Sequence, residues 1–138
     1  MISRGVWSPE EIAATQEHLR RRRESAFRAR EGWRQAVLRA LRKAAPQLFP
    51  RFPTVRRVYL FGSVTRPGEM GRRSDVDVAV EGKLGAEDYF ALWRALEEAS
   101  GETIDLVELT DDLPFARPIR ESGEVLYERR NPDAEGKD

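Results

Sequence analysis

The sequence has no cysteine and a single histidine in 138 residues. Disulfides and thiolate zinc sites are therefore excluded, and His18 alone gives no basis for imidazole metal chemistry. No stretch approaches the roughly 20 apolar residues of a membrane span. The opening MISRGVWSPEE lacks the apolar centre of a secretory signal, so the expected home is the cytoplasm. An excess of one charge sign is missing too, since 24 Lys/Arg stand against 24 Asp/Glu. With 35% charged and 40% hydrophobic residues, the chain is expected to form one globular body.

The balance of charge hides an uneven distribution. Residues 1–60 carry 14 Lys/Arg and 5 Asp/Glu, a net +9, and residues 61–138 carry the compensating −9. A basic arm beside an acidic body fits this pattern, whether the arm meets a partner or the chain's own acidic half. Arg20–Arg23 could mark a nucleic-acid surface, but no stacking aromatics interleave with them, and Glu17 and Glu24 stand at pairing distance along a helix. A solvated helix face is the preferred reading, and no nucleic-acid partner is expected.

Ser8-Pro9-Glu10-Glu11 reads as a capped helix start. Helical composition then runs to about Ala45, with a break expected near Gly32 and a stop at Pro46 and Pro50. The second half has an apolar stripe at Trp33, Val37, Leu41 and Ala44, with Ala36 and Ala40 alongside. Strands are expected at about 55–61, 76–81, 103–109 and 124–127. Helices are expected over 86–100, with Tyr89, Phe90, Leu92, Trp93 and Leu96 inward, and over 113–122, disturbed by Pro118. Strands alternating with helices predict an α/β (α+β) fold, a small mixed sheet with packed helices and a long N-terminal helical segment. The expected division is a helical extension over 1–50, a core over 51–128 and a polar tail over 129–138.

The densest chemistry lies in VRRVYLFGSVTRPGEMGRRSDVDVAV, residues 55–80. A strand ends at Gly62-Ser63, a polar loop follows, and SDVDVAV alternates so that Asp75 and Asp77 share one face opposite Val76, Val78 and Val80. Two carboxylates at this spacing raise each other's pKa unless a cation or basic group joins them. Gly62 removes a side chain where a phosphate could approach, and Ser63 adds a hydroxyl and an N–H. Taken singly, each feature has an ordinary explanation: Gly-Ser as a strand-ending turn, an aspartate as a loop cap. Their order, spacing and strand context together point to a site.

This arrangement resembles the signature of the DNA polymerase beta-like nucleotidyltransferase superfamily, and most of all its minimal nucleotidyltransferase (MNT) family, over roughly Val55 to Tyr127. The family usually has about ten residues between Gly-Ser and the first Asp, whereas Val64 to Ser74 makes eleven, a departure confined to the loop. The resemblance implies a polymerase-beta-like palm and a third acid about thirty residues on. Asp105 in TIDLVEL fits it, although an acid facing water on an edge strand would look the same. The implied metal ligands and catalytic residues are Asp75, Asp77 and Asp105. Hard oxygen donors of this kind call for Mg²⁺, or Mn²⁺, rather than zinc. Gly62, Ser63 and Arg66 are the implied nucleotide-binding residues, with Arg72 and Arg73 as loop candidates of lower weight. By the same resemblance the chain is an antitoxin that moves AMP from ATP to a tyrosine of a helical HEPN-domain toxin. Two other readings stand beside it: a non-catalytic antitoxin acting by contact, and a small-molecule nucleotidyltransferase of the aminoglycoside type, for which a homo-oligomer would have to complete the pocket.

Overall fold

The computed structural model describes residues 5–71 and 73–130. Helix α1 runs from Pro9 to Leu48. Its start is fixed by a reciprocal capping box, in which the Ser8 hydroxyl accepts from the Glu11 N–H and the Glu11 carboxylate accepts from the Ser8 N–H, both at 3.1 Å. Its 40 residues make it about 60 Å long. The expected break at Gly32 does not occur, and the helix continues past Pro46. A helical glycine costs only about 1 kcal/mol against alanine, and side chains on both sides of Gly32 are anchored to the body, Trp33 to Glu102 and Glu31 to Gly68. Pro46 falls in the last turn, where buried Ala45 and Leu48 hold the helix on the core.

The two halves of α1 have different surroundings. In the second half Val37, Leu38, Leu41, Ala45 and Leu48 are buried, while Ala36, placed in the apolar stripe by spacing, faces solvent. In the first half nearly every residue from Pro9 to Ala29 is exposed. Arg20 pairs with Glu17 at 2.6 Å and with Glu24 at 2.5 Å, which is the solvated-face arrangement.

A 3₁₀ turn, Phe49–Arg51, leads to strand β1, Arg57–Phe61. A second 3₁₀ turn, Gly62–Thr65, and a loop lead to β2, Val76–Glu81. Helix α2, Ala86–Ser100, ends at Gly101 and precedes β3, Ile104–Glu108. Helix α3, Ala116–Ser122, is shorter than expected and connects to β4, Glu124–Glu128. Pro118 sits in its first turn, where a missing N–H leaves no hydrogen bond unmade, so it does not disturb the helix.

The strands form one mixed sheet in the order β3-β2-β1-β4. β1 runs antiparallel to β2 and β4, and β2 runs parallel to β3. Alternation gives the sheet two unlike faces. Val58, Leu60, Val76, Val78, Val80, Ile104 and Leu106 pack with α1 and α2 in the main core. On the other face Tyr59 and Ala79 pack with Ala116 and Ile119 of α3 in a smaller cluster. Phe90 is 53% exposed rather than inward, with its ring edge-on to Tyr89 and Trp93. Among the described residues, no helix is long and apolar enough to cross a membrane.

Candidate active site

The second face of the sheet is only partly covered by α3, and the acids lie on it. Asp77 stands beside Asp105 in the parallel β2–β3 register and opposite Phe61 in the antiparallel β1–β2 register. Neighbours paired in register project to the same side, so the two carboxylates share the face opposite the valines. Asp75 lies just ahead of β2 and is exposed, as is Asp105, whereas Asp77 is half-buried.

Burial, the charges of Asp105 and Asp75, and a hydrogen bond with Asp105 push the Asp77 carboxyl up to about 6, against a smaller opposing pull from Arg66. Such an acid resists ionising until a cation or a positive group approaches. Among the described residues, no group of three or more His, Cys, Asp or Glu forms a ready-made metal cage. The oxygen donors still suit Mg²⁺ or Mn²⁺. Magnesium takes one or two carboxylates and fills its remaining positions with water and substrate phosphate, and a cation here would relieve the repulsion that raises Asp77.

Gly62 forms the corner beside the acids, where a tertiary contact also calls for glycine. Its φ is +76°, and a Cβ at this position would lie 2.2 Å from Asp77 Oδ2. The missing side chain makes room for the Asp77 carboxylate. Ser63 lies half-buried in the same four-residue 3₁₀ turn. A turn this short carries little helix dipole, so any anion there would meet local N–H groups. Arg66 follows the turn, is exposed, and forms an ion pair with Glu69. Arg73 is exposed in the loop, and Arg72 lies outside the described residues. His18 lies on the exposed half of α1.

Sequence reasoning missed the clasp that holds this corner. Arg34 is 8% exposed, pairs with Glu31 at 2.6 Å and donates to the Val64 carbonyl at 3.1 Å. Glu31 Oε2 accepts from the Gly68 N–H at 2.8 Å, and Arg30 donates to the Gly68 carbonyl. The Phe27 ring lies so close to Gly68 that a Cβ there would collide with it. Bonds to Arg34, then Gln35, hold the Glu31 carboxyl down to about 2. A signal existed in the sequence: Arg34 occupies the same helical stripe as Val37 and Leu41, with Glu31 one turn before it.

A second missed feature is a cavity of about 300 Å³ between the corner and α3, lined by Phe61, Gly62, Thr65, Arg66, Phe115 and Pro118 among others. The rings of Phe61 and Phe115 stack with centroids 6.5 Å apart. Nothing in the periodicity of the sequence brings these two rings together, because they meet only through the packing of α3 on β1.

Residues 44–132 match the family described as Polymerase beta, Nucleotidyltransferase. The chain belongs to this family. No curated protein matches it. Among solved structures, it is similar to a toxin–antitoxin complex with AMP-PNP, with 27% identity and a TM-score of 0.51 over 64% of this chain and 73% of that one. A MntA–HpeT toxin–antitoxin mutant with two Asp-to-Glu changes two residues apart is 25% identical, with a TM-score of 0.52 over 64% of this chain and 73% of that one. A Tyr-to-Ala mutant of a MntA–HpeT complex is also 25% identical, with a TM-score of 0.50 over 64% of this chain and 72% of that one.

Proposed function

We propose that this chain is an antitoxin of the minimal nucleotidyltransferase type, transferring AMP from ATP to a tyrosine hydroxyl of a helical HEPN-domain toxin. The observation that carries the reading is the convergence of Asp77 and Asp105 from adjacent parallel strands at the Gly62 corner, with Asp77 raised to about 6. The similarity to a toxin–antitoxin complex with AMP-PNP supports ATP as donor and a toxin as partner. An ATP-dependent reaction of this kind belongs in the cytoplasm.

Asp75, Asp77 and Asp105 would hold Mg²⁺, or Mn²⁺, which when bound would neutralise phosphate charge and polarise the α-phosphoryl group. The chain's own groups do the rest. Ser63 and the N–H groups of the corner bind the outer phosphates, and Arg66 leaves Glu69 to add its charge. Asp105, the more exposed of the two paired acids, faces the acceptor and takes the hydroxyl proton. The acceptor oxygen forms a bond to the α-phosphorus, the α–β phosphoanhydride bond breaks, and pyrophosphate leaves. The exposed half of α1 is the partner-docking extension, and the 51–128 core carries the chemistry.

That exposed arm also supports a second reading, in which contact alone neutralises the partner. Intact mass of a co-expressed helical partner separates the two. The transferase reading predicts one or more added AMP units with the wild-type chain and none with Asp77→Asn. Neutralisation by both chains without any mass change would establish contact inhibition instead.

A further inference from the structure

Resting on the docking role given above to the exposed half of α1, we propose that the partner presents an amphipathic helix with acidic flanks, which packs along an apolar line from Ile12 through Leu19 to Phe27. These three side chains are 44%, 46% and 45% exposed. About two turns separate each from the next, so they fall within about a quarter of the helix circumference. Continued at the same spacing, the line runs into Arg34, Val37 and Leu41, which the body buries. The face that packs on the core in the second half of α1 is therefore left bare in the first half. An apolar stripe without a cover marks an interaction surface. It lies outside residues 44–132, so the core shared with the family does not account for it.

Charge decides what covers the stripe. Arg22 and Arg23 stand one turn beyond Leu19 on the same side, are exposed, and form no ion pair among the described residues. A recess of about 530 Å³ beside Phe27 is lined by Arg23, Arg28 and Arg30, with Glu24 as its single acid. Glu24 is already bound to Arg20 at 2.5 Å, so the recess presents positive charge. Acidic side chains flanking an apolar ridge complement both parts at once. A helix suits the stripe because its own apolar residues recur at two-turn intervals. A second copy of this chain does not suit it. Arg20–Arg23 lie near the middle of the exposed half, so arms paired in either direction set arginine against arginine. At the end of the line the Phe27 ring meets Gly68, and Arg30 donates to the Gly68 carbonyl. A helix docked there abuts the loop that joins the Gly62 corner to Asp75.

The probe is a fluorescent peptide of about 20 residues, long enough to hold a helix, with leucine along one face and glutamate on both flanks. Its binding to the full chain, without nucleotide, is read by anisotropy beside a twin that carries lysine on the flanks. The glutamate peptide should bind, and the lysine twin should be weaker by roughly tenfold or more. Leu19→Gln keeps helix propensity at an exposed position and should weaken the glutamate peptide roughly tenfold, the scale of losing one buried leucine. Changing Arg22→Glu and Arg23→Glu together should reverse the order and favour the lysine twin. Equal binding of the two peptides, binding of neither, or no effect of Leu19→Gln would overturn the proposal. Tighter binding to phosphatidylglycerol vesicles or to single-stranded RNA than to the glutamate peptide would also overturn it, assigning the arm to a membrane or a nucleic acid. A dimer in ultracentrifugation that Leu19→Gln dissolves would assign it to a second copy instead. Peptide binding by a chain that transfers no AMP would count against the transferase reading alone, and transfer without peptide binding against this proposal alone.

Discussion

Asp77 is held against its own preference. Its folded-state pKa of about 6 stands above the ordinary 3.8. Without divalent cation, the native state therefore binds more protons than the unfolded chain between pH 4 and 6. Stability falls as pH rises through that window. Asp77→Asn should consequently stabilise the cation-free fold at pH 7.5 by about 1–2 kcal/mol after allowance for solvent screening, with the gain fading toward pH 4. Urea unfolding at the two pH values measures this, and equal stability of variant and wild type at pH 7.5 would remove the charge conflict. The pattern of a stabilised but inactive variant is that of a functional site held at a cost in stability.

Gly62 shows how far a residue can be read from sequence. Its place beside the acids follows from the strand-turn-strand pattern, but one of its constraints does not. Besides the room for phosphate that spacing suggests, a contact with the Asp77 carboxylate forbids a side chain. A tertiary contact between residues fifteen positions apart leaves no trace in local periodicity. Gly62→Ala meets both this contact and a φ of +76°, and should destabilise the chain by about 2 kcal/mol or more while removing activity. A thermal melt equal to wild type would show that Asp77 moves aside freely.

At the scale of elements, the strands and α2 were legible because alternation and helical period are local, and the breaks were not. Gly32 and Pro46 are weak points in an isolated helix, yet α1 passes both because the core and the clasp outweigh a cost of a few kcal/mol. The same clasp makes α1 part of the site. Arg34 bridges the helix to Val64 in the corner turn, and Glu31 bridges it to Gly68 in the loop. Arg34→Met should remove this tie, lower the melting temperature by about 5 °C or more and reduce transfer. Because the Glu31 carboxyl is held down to about 2, below its ordinary 4.5, its contribution is present above pH 4.5 and is lost as pH falls toward 2. An unchanged melting temperature in Arg34→Met would mean that the loop is fixed elsewhere.

At the scale of the molecule, a half-exposed 40-residue helix stands beside a small palm whose second face is partly open. The basic and acidic halves seen in the composition correspond to these parts only approximately, since α1 also supplies Val37, Leu38 and Leu41 to the core. Composition shows that an arm exists, but which of its turns pack is decided by the sheet beneath it. None of residues 5–25 is buried, and removing residues 1–25 keeps Phe27 against Gly68. The shortened chain should melt within a few degrees of the full one and still bind Mg-ATP, yet lose affinity for its helical partner. Retained partner binding, measured by interferometry, would move the docking surface onto the palm.

The proposed function requires Asp77 and Asp105 to act together at the Gly62 corner to move a nucleoside monophosphate. Its most direct test is transfer of label from α-labelled ATP, with Mg²⁺, to a co-purified helical partner by wild type, Asp77→Asn and Asp105→Asn. Label on the partner from wild type, and a loss of a hundredfold or more in each variant, is the predicted result, on the scale of removing an acid–base or metal-binding group. Labelling by Asp105→Asn at the wild-type rate would contradict it.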